Sequence, residues 1–122
     1  MKRRAVLAGA LALLCESARA AGAPAAELER IERLIAAIGA RQDLRFLRNG
    51  SDYPASDAAR FLREKFKARS DGVTTAEGFV ERIATRSSTT GRPYLIRWPD
   101  GREQAAAEFL LAELKRIAPA RQ

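Results

Sequence analysis

An unbroken apolar run from Ala5 to Leu14 stands behind Lys2, Arg3 and Arg4 and ahead of Ala18-Arg19-Ala20. A positive start, a short apolar centre and a small-x-small site are the parts of a cleavable signal peptide, and they predict cleavage after Ala20. A run of this length is about half of the ~20 residues that cross a bilayer, so no stable transmembrane anchor is expected. Cys15 follows Leu13 and Leu14 rather than a small residue, which argues against lipidation. Lys2 occupies the place of the polar residue expected before the Arg3-Arg4 pair, so general secretion is expected over twin-arginine export. The chain is therefore expected to divide into a signal peptide at 1–20, a short lead-in at 21–26, one globular domain at 27–118 and a flexible tail at 119–122. The mature protein is expected in the periplasm or secreted.

Removing residues 1–20 takes four of the 22 basic and one of the 15 acidic side chains, leaving 18 and 14 and a net charge of +4 instead of +7. With no Lys/Arg run longer than two in the mature chain, nucleic acid is not an expected partner. A chain of ~100 residues buries roughly 60–70% of its unfolded surface, enough for one core but not two. The chain has no histidine, and its one cysteine, Cys15, leaves with the signal. Disulfides, thiolate and imidazole metal sites, Cys nucleophiles and His-based triads are thereby excluded, and no cofactor is implied.

Leu28, Ile31, Leu34, Ile35 and Ile38 recur at helical spacing and predict a first helix from about Ala26 to Ile38, stopped by Gly39. Leu44, Phe46 and Arg48 alternate with Arg45 and Leu47, the period of a short strand that Asn49-Gly50 ends. After a loop through Tyr53-Pro54, Ser56 is the expected N-cap of a second helix with Asp57 in its first turn, fading near Arg69. Thr74-Thr75-Ala76-Glu77 reads as a capping box for a third helix that buries Phe79, Val80, Ile83 and Ala84. Pro93 to Trp98 is the strongest strand signal, and Pro99-Asp100-Gly101 turns it. A fourth helix is expected from about Glu103 to Ile117, with Phe109, Leu110, Leu114 and Ile117 inward. The expected fold class is α+β, helix-rich, with about four helices and two short strands paired antiparallel.

Two cations do not fit their faces. At about 100° per residue with Ala58 at 0°, Lys65 falls at about 340°, between Phe61 at about 300° and Leu62 at about 40°. A buried ammonium is costly unless paired, so Lys65 must either snorkel to the rim or meet an acceptor. Arg48 keeps the parity of Leu44 and Phe46 and points toward the core unless the strand has ended at Leu47. The loop Arg86-Ser87-Ser88-Thr89-Thr90-Gly91 concentrates hydroxyls, a composition that suits backbone and hydroxyl donors facing an anion and equally suits a plain helix-to-strand connector.

Several fragments carry a resemblance: Phe46-Leu47-Arg48-Asn49-Gly50 with Tyr53, Phe61-Leu62-Arg63-Glu64-Lys65, Thr75-Ala76-Glu77-Gly78-Phe79-Val80, and Arg86-Ser87-Ser88-Thr89-Thr90-Gly91-Arg92-Pro93-Tyr94. Over about Leu28 to Leu114 the chain resembles the bacterial domain-of-unknown-function family numbered 5329. The resemblance implies a small exported protein and no assigned activity. The family's typical features are matched by Arg48, Asn49, Gly50, Tyr53, Lys65, Ser87, Ser88 and Gly91, while Thr90 stands where serine is expected and keeps the hydroxyl.

Three functions fit these residues. In the first, the protein is a non-catalytic binding or interaction module, with Arg48, Asn49, Tyr53, Lys65, Ser87, Ser88, Thr90 and Gly91 holding an anionic group of a periplasmic ligand or protein. In the second, Ser87 or Ser88 is a nucleophile activated by Lys65 in a hydrolase or transferase, which requires a hydrogen bond between them. In the third, the same residues are a structural polar network, and function lies on another surface. No residue pattern selects an oligomeric state.

Overall fold

Residues 22–117 are described by the computed structural model, and the expected signal peptide, the cleavage at Ala20 and the tail at 119–122 lie outside them. Helix α1, Ala25–Gly39, buries Ile31, Leu34, Ile35 and Ile38 along one stripe, as their spacing requires. At its end Gly39 allows a close approach to the next helix, because a Cβ there would lie 3.2 Å from Ala59 Cβ. Helices α2, Ala55–Ala68, α3, Ala76–Arg82, and α4, Ala106–Arg116, complete the helical layer.

The sheet holds four strands where two were expected. Strands β1, Arg45–Arg48, β2, Ser51–Pro54, β3, Leu95–Arg97, and β4, Glu103–Ala105, lie in the order β2-β1-β3-β4, and every pairing is antiparallel. The expected pair is the central one, β1 with β3, with Phe46 opposite Ile96. The strands added at the edges both fell in segments read otherwise. Ser51-Asp52-Tyr53-Pro54 has the composition of a loop, but Asn49 and Gly50 both have positive φ, 52° and 85°, and form a two-residue hairpin turn that folds it back onto β1. Glu103–Ala105 looked like the first turn of the last helix. It is instead the return strand of a second hairpin through Gly101, whose φ is 92°.

Two caps also differ from expectation. Helix α2 begins after Pro54 with no side-chain cap, and Ser56 lies inside its first turn. The cap of α3 is Thr75, whose Oγ1 accepts from Gly78 N at 2.9 Å. Glu77 does not complete a capping box. It pairs instead with Arg30 on α1, while Glu27 Oε1 accepts the Ala76 N–H at 2.8 Å. Side chains of α1 thus satisfy groups at the start of α3 that a local box would otherwise serve.

Tyr53, Phe46, Ile96 and Gln104 form the row of the sheet that faces the helices, by register. The opposite face is solvated and carries a ladder of ion pairs, Arg45 to Asp52 at 3.2 Å, Asp52 to Arg97 at 3.2 Å and Arg97 to Glu103 at 3.1 Å. No helix among the described residues is long and apolar enough to cross a membrane.

Candidate functional site

Strand β1 continues through Arg48, so the side chain does point to the helical side, as its parity with Phe46 demands. Its guanidinium stacks on Phe61 of α2, 4.2 Å from the ring centroid, and lies 5.3 Å from that of Tyr53 on β2. The hydrogen bond of Arg48 to Tyr53 Oη, at 3.5 Å, holds the phenol below its ordinary pKa.

Lys65 is only 8% exposed and does not snorkel. Its Nζ donates to the carbonyl oxygen of Arg86 and to Tyr94 Oη, both at 2.9 Å. Tyr94 is itself 1% exposed, packed against Phe46 with centroids 5.4 Å apart and edge-on to Phe61 at 5.8 Å. An ammonium has three protons, so one remains for a further acceptor, and the Tyr94 hydroxyl keeps its own proton to donate. Burial lowers the Lys65 pKa to about 8, with further repulsion from Arg69 and Arg48. Burial likewise raises that of Tyr94.

Around these groups lies an open pocket of about 290 Å³, lined by Arg48, Phe61, Lys65, Arg69, Ser87 and Ser88 among others. Among the described residues, Arg48, Lys65 and Arg69 form no ion pair. Glu64 also lines the pocket, but it is exposed and lies 3.8 Å from Lys67 on the outside of α2.

Of the two roles its composition suits, the hydroxyl loop has the geometry of the connector. Ser87 is 5% exposed, and its Oγ accepts from Asn49 Nδ2 at 3.3 Å, Thr89 N at 3.2 Å and Thr90 N at 3.3 Å. Gly91 N donates to the Ser87 carbonyl, Arg92 N to Thr90 Oγ1, and Thr90 Oγ1 to Asn49 Oδ1 at 2.6 Å. The backbone donors of residues 89–92 therefore close the loop on itself and clip it to the β1–β2 turn, leaving none of the four for an anion. Lys65 Nζ has neither Ser87 nor Ser88 as a hydrogen-bond partner, so the nucleophile–base contact that a serine–lysine mechanism requires is not formed.

Of the expected residues, the fold thus gathers Arg48, Lys65, Ser87 and Ser88 on one pocket. Tyr53 stands on the far side of Arg48, and Asn49 and Thr90 bind each other at the outer edge of the loop. Gly91 serves the turn with a φ of 75°. Two members escaped sequence reading. Arg69 lies four residues after Lys65, the spacing that places two side chains on one helical face, and this was its legible signal. Tyr94, expected only as part of the Pro93–Trp98 strand, is buried in the core, and its hydroxyl alone belongs to the site.

A family model described as a family of unknown function, DUF5329, matches residues 25–118. The uncharacterized protein YfeK of Salmonella typhimurium is 34% identical over 89 residues, which cover 73% of this chain and 74% of that protein. No solved structure matches the chain.

Proposed function

Since the chain belongs to the DUF5329 family, we propose that it is a non-catalytic binding module, exported by the segment before Ala21, that holds the anionic group of a periplasmic ligand. The observation that carries this reading is the company of Lys65. A buried ammonium with a depressed pKa shares its pocket with the guanidiniums of Arg48 and Arg69, and among the described residues no carboxylate pairs with any of the three. Like charges held together and partly desolvated are unfavourable on their own, and an anion seated among them removes that penalty. Arg48 supplies a planar fork, Lys65 its third proton and Tyr94 a hydroxyl, a donor set suited to carboxylate or phosphate oxygens.

Thermal unfolding in the presence of inorganic phosphate or acetate tests the proposal. An anion that binds only the folded state raises the melting temperature with concentration. The rise is expected for the unaltered protein and is expected to fall away in Lys65→Met and Arg69→Met. Equal rises in all three proteins, beyond that produced by chloride at matched ionic strength, would overturn it.

A structural reading has its own support. Lys65 joins α2 to the 86–92 loop and to Tyr94, and Asn49 joins the β1–β2 turn to the same loop. These bonds fix the pocket walls whether or not a ligand enters.

A further inference from the structure

The cation pocket does not end at Arg48. On the other side of that side chain, a second cavity of about 310 Å³ opens between the β1–β2 hairpin and α2, walled by Phe46, Tyr53, Ala58 and Phe61. Arg48, Phe61 and Glu64 line both cavities, so the two are neighbours across a single guanidinium. Their charges differ. The second cavity holds Asp57 and Arg60, which lie 3.3 Å apart as an ion pair, whereas the first holds cations that have no carboxylate partner among the described residues. The Asp57–Arg60 pair leaves the second side without a concentration of positive charge, and the three cations on the first side attract an anion. Each cavity has the size of a small-ligand site with apolar walls, and an inorganic ion would occupy only one.

Resting on the anion-binding reading of the same site, we infer that the ligand is an amphiphile with one anionic head and one apolar chain. Its head lies among Arg48, Lys65 and Arg69, and its chain crosses Arg48 into the cavity over Phe61. The guanidinium packed on Phe61 stands between the two cavities, a cation backed by an apolar ring at the boundary where head and chain would meet.

Calorimetric titration of the mature protein with acetate, octanoate and decanoate below their micellar concentrations, with inorganic phosphate and decanol as further probes, tests this. Affinity should rise about fourfold per methylene while added carbons enter the cavity, and decanol should bind at least tenfold more weakly than decanoate. Amide resonances of Phe46 and Ala58, which line the second cavity and not the first, should shift with decanoate but not with phosphate. If phosphate and acetate bind through Lys65 but decanoate binds no tighter than acetate, the amphiphile inference fails and the anion reading stands. If decanol binds as tightly as decanoate, or if no probe binds, both fail.

Discussion

Lys65 Nζ and Tyr94 Oη, 29 residues apart in the chain, meet at 2.9 Å inside the protein, and each is the other's principal polar side-chain contact. Lys65→Met and Tyr94→Phe each remove one partner while keeping most of the volume. Each should cost about 1–3 kcal/mol, the penalty of a buried polar group left without its bond. The double variant should be less destabilised than the sum, with a coupling of about 0.5–3 kcal/mol. Urea unfolding of the four proteins measures this, and additive losses would show that the contact contributes nothing beyond packing. Coupling that is strong while phosphate has no effect would favour the structural reading of the site.

The depressed Lys65 pKa makes stability depend on pH. The folded-state value is about 8 against an ordinary 10.5, so between these pH values the unfolded chain binds more protons than the folded one. Stability contributed through this group therefore rises as pH increases from about 8 to about 10.5, and the burial penalty is fully present below 8. The charges that bear on it are Arg48 from β1 and Arg69 just past the end of α2, with Glu64 of α2 and the Tyr94 hydroxyl lining the same pocket. Tyr53 is held below and Tyr94 above the ordinary phenol value, and their own contributions are set aside by measuring the difference in urea midpoint between the unaltered protein and Lys65→Met at pH 7.5, 9 and 10.5. That difference should move in favour of the unaltered protein as pH rises; a flat difference would place the Lys65 pKa near its ordinary value.

Ser87 and Ser88 are adjacent and should behave oppositely. Ser87 Oγ is the acceptor for three donors, so Ser87→Ala should cost about 1–3 kcal/mol. Ser88 is exposed, and Ser88→Ala should lie within about 0.5 kcal/mol of the unaltered protein. Thermal melts of the two variants decide this, and similar losses would mean that the loop is not held from Ser87.

Asn49 combines a left-handed backbone with two side-chain bonds. Asn49→Ala loses both the bonds and the tolerance for a φ of 52°, whereas Asn49→Gly loses only the bonds. The alanine variant should be less stable than the glycine variant by about 1 kcal/mol. Identical stabilities would show that the turn relaxes out of the positive-φ region.

Export is testable on the full chain. Expressed in a Gram-negative host, the protein recovered from the periplasmic fraction should begin at Ala21 by intact mass. A cytoplasmic product that retains residues 1–20 would overturn both the cleavage after Ala20 and the compartment.

The helices were legible because their signal is local. Ile31, Leu34, Ile35 and Ile38 repeat within one stretch, and every backbone bond of α1 closes four residues away, so spacing alone locates the element to within a residue or so. The same wheel placed Lys65 among apolar neighbours, and strand parity aimed Arg48 inward; both placements hold in the fold. Neither argument named a partner.

Four helices, the central β1–β3 pair, the absence of histidine and the two cations on apolar faces were all readable from the residues alone. Tertiary structure decided the rest. Ser51–Pro54 and Glu103–Ala105 have little strand character of their own and become strands only because a neighbouring edge offers backbone partners. Tyr94 and the Arg86 carbonyl give Lys65 its acceptors, Asn49 donates to the Ser87 hydroxyl, and Arg69 comes to line one pocket with Arg48, each by bringing together segments distant in sequence. The physical reason is that a helix closes its own hydrogen bonds, whereas an edge strand, a buried cation and a loop hydroxyl must find theirs elsewhere in the chain.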